Sequence, residues 1–410
     1  MCDAANPAKP WQLSGMSYGN GIPALCLLHQ EIEQFYSYIQ STPTEFYLRA
    51  EAVRRIEDVV LSIWPGACVE VFGSFRTGLN LPDSDIDLVV HHTYCYWNPR
   101  WLHELQFELI SHGVTDPDSV SVLDKASVPV VKFTERVSRI KFDVTFNVAA
   151  SGVQAAELIK DFIRQFPELP KLVMVLKQFL SLQGLNEVYS CGGVSSYALT
   201  LMVISFLQQQ KRSGRRYSAH NKLGLLLLQF LEYYGRKFDF FKYGISVLGE
   251  GGCVEKERLR SAQGQNNCSV LSIEDPVTPT NDIGRSSFAA LHVMQGFEAA
   301  FLKLSKLVDS DSAKIVGPIL ANMVEVPQSM INYRAWVHYN FAHLLGNGLE
   351  SPDAIGQPAL MGSSTTSSAS EDEHSDSNQN QTVRNGFRRC GDGPPQNLDL
   401  DATLANLKLN

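Results

Sequence analysis

The stretch Val71-Phe72-Gly73-Ser74-Phe75, followed eleven residues after its serine by Asp85-Ile86-Asp87-Leu88-Val89-Val90, limits what this chain can fold into more than any other. Successive side chains of a strand point to opposite faces. Asp85 and Asp87 therefore share one face while Ile86, Leu88 and Val90 enter a core. Two carboxylates side by side repel one another unless a divalent cation lies between them, and Mg²⁺ is held in this way by one or two carboxylates plus substrate phosphates. Gly73 lets the backbone approach a phosphate closely, and Ser74 can donate a hydrogen bond to it. A lone Asp-x-Asp is usually a solvated strand edge; the ordered set of strand, Gly-Ser and Asp-x-Asp points to nucleotidyl transfer.

The run Arg139–Asn147 supplies a third carboxylate. Its alternation puts Ile140, Phe142, Val144 and Phe146 on a core face and Lys141, Asp143, Thr145 and Asn147 on an open one. Asp143 thus joins Asp85 and Asp87 as a catalytic and metal-ligating candidate. Two metals about 3.5–4 Å apart would activate an attacking hydroxyl and stabilise a leaving pyrophosphate.

The segments Phe72–Leu79 and Leu81–Val90 resemble the DNA polymerase β-type nucleotidyltransferase superfamily and, within it, the Trf-type non-canonical poly(A) polymerases of TRAMP-like nuclear RNA surveillance. The resemblance runs from about Trp11 to Leu345. It includes Leu123-Asp124-Lys125-Ala126, Leu176-Lys177-Gln178-Phe179-Leu180, the Gly192–Tyr197 segment, Ile273-Glu274-Asp275-Pro276 and the Asn281–Ser287 segment. It implies an α+β fold: a polymerase β-like palm, a mixed sheet with helices, joined to a mostly helical central domain. It also implies Mg²⁺ (Mn²⁺ as its substitute), ATP as substrate and RNA 3′ ends as acceptor. The implied partners are a zinc-knuckle RNA-binding protein and helicase and exosome factors. The implied location is nuclear, nucleolar included, with some cytoplasmic pool.

At 410 residues the chain exceeds what one hydrophobic core usually serves, so two folded units plus tails are expected. The eight cysteines contain no Cys-x-x-Cys pair, which speaks for reduced thiols rather than a disulfide framework or zinc site. His91, His92 and Cys95 lack a fourth ligand at a usual spacing and are read as surface residues. No apolar run is long enough to span a bilayer, and the N-terminus lacks signal-peptide character, which suggests an intracellular setting. Non-specific RNA affinity comes mainly from lysine and arginine, so a net charge of -8 implies weak RNA binding by the chain alone and a partner that supplies it. The one concentrated basic stretch, Lys211–Tyr217, reads as a solvated loop.

Residues 1–20 read as an N-terminal arm and 21–64 as N-terminal helices packing across two domains. Leu25, Leu28, Ile32, Phe35 and Ile39 fall at helical spacing, and Thr42-Pro43-Thr44-Glu45 is a capping box. Residues 65–150 alternate as strands and form the palm. Residues 151–345 are periodic at helical spacing and form the central domain, with a nucleotide-recognition loop at 273–287. Residues 346–410, rich in Ser, Thr, Asp and Asn, read as a disordered tail; spaced leucines near its end could form a short helix on a partner.

Lys177 stands in an apolar helical run and must snorkel or face a cleft; the resemblance assigns it to the triphosphate. Many relatives carry a second lysine one helical turn on, where this chain has Ser181. The Gly192–Tyr197 segment reads as a glycine-rich loop opening a helix, a phosphate-binding arrangement. The resemblance gives Ser196 the phosphate and Tyr197 the base. It also gives Gly73, Ser74 and Gly152 backbone or hydroxyl contacts to the nucleotide and Asn147 the ribose. Asn281 stands where uridylyl-transferring relatives carry a histidine, and its amide suits adenine; Arg285 is expected to brace that loop. The reading is Mg²⁺-dependent polynucleotide adenylyl transfer that marks nuclear RNA for decay. The alternatives are terminal uridylyl or mixed-nucleotide transfer, a 2′-5′ oligoadenylate synthetase, which would need a basic RNA-sensing groove, and a non-catalytic scaffold.

Overall fold

The computed structural model describes residues 9–12, 18, 21–91, 98–126, 128–146, 150–263, 269–310, 315–345 and 399–407. Two N-terminal helices come first, α1 (Ala24–Ile39) and α2 (Pro43–Ile63). The Thr42 hydroxyl accepts from the Glu45 N–H at 3.2 Å while the Glu45 carboxylate accepts from the Thr42 N–H at 2.8 Å, the reciprocal cap that starts α2. Strand β1 (Cys68–Phe72), the single turn α3 (Gly73–Thr77) and β2 (Ile86–His91) follow. Helix α4 (Arg100–Ser111) leads to β3 (Ser121–Leu123), β4 (Val130–Thr134) and β5 (Lys141–Phe146). The five strands form one mixed sheet in the order β1-β2-β5-β4-β3, in which only β2 and β5 run parallel.

The helical part holds α5 (Ala150–Gln165), α6 (Leu169–Leu182), the short α7 (Val188–Cys191), α8 (Ser196–Arg212) and α9 (Lys222–Glu232). A two-stranded ribbon, β6 (Tyr243–Ser246) with β7 (Gly252–Glu255), precedes α10 (Lys256–Gln263), α11 (Ala290–Val308) and α12 (Gln328–Phe341). Among the described residues no helix is long and apolar enough to cross a membrane.

Two apolar cores result. Leu27, Leu28, Ile32 and Phe35 of α1 join the helical core, whereas Phe46, Val53, Ile56 and Val60 of α2 join the palm core. Two expectations change. The helical domain does not run unbroken to residue 345, because Val337 is buried in the palm core and Tyr333, Trp336 and Leu344 pack on it. Nor is the whole of 346–410 a tail. Leu400–Leu407 forms a helix, α13, whose Leu400 and Leu404 pack on that core, so the spaced leucines cover this chain's own palm. Residues 346–398, which carry the expected disorder, lie outside the described residues.

Glu31 of α1 fastens the far end of the helical part. Its buried carboxylate accepts from the N–H groups of Ile319 (3.0 Å) and Leu320 (2.6 Å) and from the Tyr18 hydroxyl (3.1 Å). Burial, the largest influence, pushes its pKa from 4.5 up to about 7 against the opposing hydrogen bonds. The folded value lies above the unfolded one, so this contribution to stability is full below pH 4.5 and is lost as pH rises to about 7. The unfolding free energy of the wild type relative to Glu31→Gln should therefore fall by about 3 kcal/mol between pH 4 and pH 8. Urea titrations of both proteins at the two pH values measure this; a difference that does not move with pH would show that Glu31 titrates normally.

Candidate active site

The sheet register builds the centre of the site. Phe72 is paired with Asp87, Asp87 with Asp143 and Asp143 with Lys132, a row crossing four adjacent strands. Asp85 enters from the residue before β2. Lys132 forms an ion pair with the Asp143 carboxylate. Burial, then the Asp85 and Asp143 charges, push the Asp87 carboxyl up to about 8, although Lys132 and Lys177 pull it down. Burial likewise keeps Asp143 above the usual carboxylate range in spite of the Lys132 ammonium. Burial is the largest single influence on Lys132 and works against its charge, but the bond to Asp143 together with the charges of Asp143, Asp85 and Asp87 outweighs it and raises its pKa.

Gly73 permits the tight packing behind this row. Its φ is +64°, and a Cβ there would overlap the Asp87 carboxylate. The turn α3 then carries Ser74 into a cleft of about 790 Å³ between palm and helical part. Asp85, Asp87, Asp143, Lys132 and Lys141 line the palm side; Gly152, Lys177, Ser196, Tyr197 and Asn281 line the helical side. Lys177 is buried, donates to the Leu79 carbonyl at 2.7 Å, and has its pKa lowered to about 8 by burial against the attraction of Asp85, Asp83 and Asp87. Ser195 caps α8 by accepting from the Ala198 N–H (3.1 Å), which leaves Ser196 exposed at the positive end of a 17-residue helix. Tyr197 is half-buried, its hydroxyl pKa pushed up by burial and by Asp275.

Asn281 is oriented by Asp275, whose buried carboxylate accepts from its side-chain amide (2.9 Å) and from the N–H groups of Val277 (2.9 Å) and Thr278 (3.2 Å). The brace expected of Arg285 comes from Asp282 instead. Its carboxylate accepts from the Ile273 and Gly284 N–H groups and from the hydroxyls of Ser269 and Ser272 at 2.8–3.0 Å, while Arg285 is exposed and does not line the cleft. Asn147 lies outside the described residues. Thr145, placed on the open face by alternation, is buried and donates to the Leu88 carbonyl.

Three contributors escaped the sequence reading. Lys132 was visible as the single charge in Val130-Val131-Lys132-Phe133, but its partner across the sheet was not. Arg49, fully buried on α2, donates to the carbonyls of Pro82 (2.8 Å) and Ser84 (2.9 Å), and carries no sequence signal because its partners are backbone. Tyr189 lines the cleft from α7.

Residues 28–164 match the family described as "Poly(A) RNA polymerase, mitochondrial-like, central palm domain", and residues 222–281 match "Cid1 family poly A polymerase". The chain is 76% identical over its full length, and that of the relative, to the inactive non-canonical poly(A) RNA polymerase protein Trf4-2 of Drosophila melanogaster. The chain belongs to the non-canonical poly(A) RNA polymerase family. Poly(A) RNA polymerase cid14 of Schizosaccharomyces pombe is 37% identical across 68% of this chain and 41% of its own length. The solved polymerase core of TRAMP, an RNA surveillance complex, superposes with a TM-score of 0.68 at 30% identity, covering 77% of this chain and 99% of that one. The Cid1 poly(U) polymerase shares the fold at 22% identity, with a TM-score of 0.59 over 73% of this chain and 98% of that one.

Gly73→Ala tests the packing behind the carboxylates. The left-handed backbone at residue 73 costs an alanine about 1 kcal/mol, so folding should survive. Displacement of Asp87 should lower any extension of a labelled RNA by roughly 100-fold or more. Wild-type extension rates in this variant would show that Asp87 can move without consequence.

Proposed function

We propose that this chain is a TRAMP-type adenylyltransferase that transfers AMP from ATP to RNA 3′ ends. The acceptor hydroxyl attacks the α-phosphate, the bond to the β-phosphate breaks, and pyrophosphate leaves. The observation that carries the reading is the in-register pair Asp87 and Asp143, beside Asp85, in the cleft that also contains Lys177, Tyr197 and Asn281. Lys177 neutralises triphosphate charge, Ser74 and Ser196 donate to phosphate oxygens, and Tyr197 stacks on the base. Asn281, held by Asp275, presents an amide edge to adenine.

Among the described residues no three His, Cys, Asp or Glu side chains form a ready-made metal cluster, and the Asp143 carboxylate is engaged by Lys132. The donor set still suits a hard divalent cation. It offers hard carboxylate oxygens only, and a cation, the Lys132 ammonium, is already drawn to it. Asp85, Asp87 and Asp143 would hold Mg²⁺ or Mn²⁺. Bound there, the ion would favour ionisation of the attacking hydroxyl and neutralise charge on the departing pyrophosphate.

The kinship with the TRAMP core supports a role in nuclear RNA surveillance, in which short tails mark RNA for exosomal decay beside a helicase. The acidic charge supports dependence on an RNA-binding partner such as a zinc-knuckle protein. A second reading, a non-catalytic chain that keeps the fold and recruits decay factors, is favoured by one observation: the 76%-identical relative is named inactive. Incubating a labelled RNA oligonucleotide with each NTP separately, with and without Mg²⁺, separates the two. Extension with ATP supports the enzyme, and intact RNA binding without extension under any condition supports the scaffold.

Four substitutions sharpen this. Asp85→Ala, Asp87→Ala or Asp143→Ala should each lower tailing by roughly 10³ or more, with thermal unfolding unchanged or slightly raised for the first two because carboxylate repulsion is relieved, and slightly lowered for Asp143→Ala, which strands Lys132. Full activity in any of the three removes that residue from the mechanism. Asn281→His should move the ratio of kcat/KM for ATP and UTP toward UTP by about tenfold, roughly 1.4 kcal/mol of discrimination. An unchanged ratio with both rates intact would mean that the base is read elsewhere.

A further inference from the structure

Tyr189 is 91% exposed, yet it lines the cleft. The other aromatic side chains on that lining, Phe72 and Tyr197, are both half-buried. A large ring left open to water gains by finding a planar apolar partner, and its hydroxyl can stay wet when it does. Its place in the cleft says which partner. Tyr197, with Asp275 and Asn281, lines the same cleft and is the ring the proposed function gives to the nucleotide base, so Tyr189 is the ring left for a second base. Lys132 and Lys141 bring positive charge to the palm side.

The ring is also held on a pinned turn. The N–H groups of Gly192, Gly193 and Val194 donate to the carbonyls of Val188, Glu187 and Leu185 at 2.8–2.9 Å, and the Ala289 N–H donates to the Gly192 carbonyl at 2.8 Å. Gly193 packs so tightly that a Cβ would overlap the Leu185 carbonyl. Phe288, 72% exposed, has its ring laid against Gly192, three residues after Tyr189.

Resting on the tailing function proposed above, we infer that Tyr189 is the stacking platform for the 3′-terminal nucleobases of the acceptor RNA, with Phe288 continuing the track outward. An acidic chain has few lysines to spare for phosphates, and base stacking supplies affinity for single strands without them and without regard to sequence.

The test is equilibrium binding of the full chain to a fluorescein-labelled single-stranded oligo(A) and to an abasic oligonucleotide of equal length and charge, alongside ATP binding and tailing kinetics. Tyr189→Ala should weaken oligo(A) binding roughly tenfold or more and raise KM for RNA to match. Abasic-strand binding, KM for ATP and kcat should stay near wild type, and Tyr189→Phe should restore oligo(A) binding. Equal losses for oligo(A) and the abasic strand, or no loss for either, would overturn the platform. Binding is read without turnover, so the two proposals fail separately. Tyr189-dependent oligo(A) binding without any nucleotide addition would sink the tailing function and keep the platform. Tailing with an unchanged KM for RNA in Tyr189→Ala would do the reverse.

Discussion

The parallel pairing of β2 with β5 is the constraint from which the rest of this structure follows. It sets Asp87 beside Asp143 and, through the antiparallel pairing of β5 with β4, sets Lys132 beyond them. A slip of one residue in either ladder would turn these side chains to the opposite face. The apolar partners in the same strands hold the register. Ile86, Leu88, Phe142 and Val144 are fully buried, and each pleat that buries one of them presents a polar neighbour to the cleft. The energy that fixes the carboxylates in place thus comes from residues that never meet a substrate.

The segment from Leu79 to Ser84 carries that precision to the second half of the molecule. Leu79 and Leu81 are buried in the helical core, although the strand that follows them belongs to the palm core. Lys177 of α6 donates to the carbonyl of Leu79, and Arg49 of α2 donates to those of Pro82 and Ser84. Two buried cations from opposite sides therefore clamp the backbone that leads into Asp85. Burying an ammonium or a guanidinium is costly, and here carbonyl oxygens and the field of Asp83 and Asp85 offset part of the cost. Arg334 makes a comparable tie at the other junction, linking Glu45 in the cap of α2 to the carbonyls of Tyr38 and Gln40.

What could be read from the sequence was whatever is local. Alternation gave the strands and the shared face of Asp85 and Asp87, and the capping box gave the start of α2 within a residue. What could not be read was pairing over distance. No local pattern says that Lys132 meets Asp143, that Arg49 reaches two carbonyls more than thirty residues on, or that α12 and α13 return to cover the palm. The recognition loop shows the same limit. A charged arginine was the natural brace by sequence, but the buried Asp282, with four donors converging on it, does that work, and an aspartate in a loop looks like any solvated one. Thr145 misled for a related reason: alternation reports which face a side chain is on, not whether that face is covered.

The site and the fold are separable in energy, and this bears on how an intact-looking chain can have a relative named inactive. The two apolar cores do not need the carboxylate row, which instead costs stability through mutual repulsion and burial of Asp87. A chain can therefore lose catalysis while keeping its shape, and on the proposed mechanism three aspartates on an intact sheet would be necessary for transfer without being sufficient. Sufficiency depends on the opposite wall. There Lys177 and, one turn on, Ser181 line the cleft, and on the proposed reading Lys177 alone of the two would carry charge to a triphosphate. A triphosphate carries several negative charges, and each charge-assisted hydrogen bond is worth more than a neutral one. With a hydroxyl at 181, charge compensation in the proposed reaction would fall more heavily on Lys177, on the positive end of α8 and on any cation the aspartates would hold. For this chain the proposed reading therefore leans on the few positive charges facing the carboxylate row as much as on the row itself.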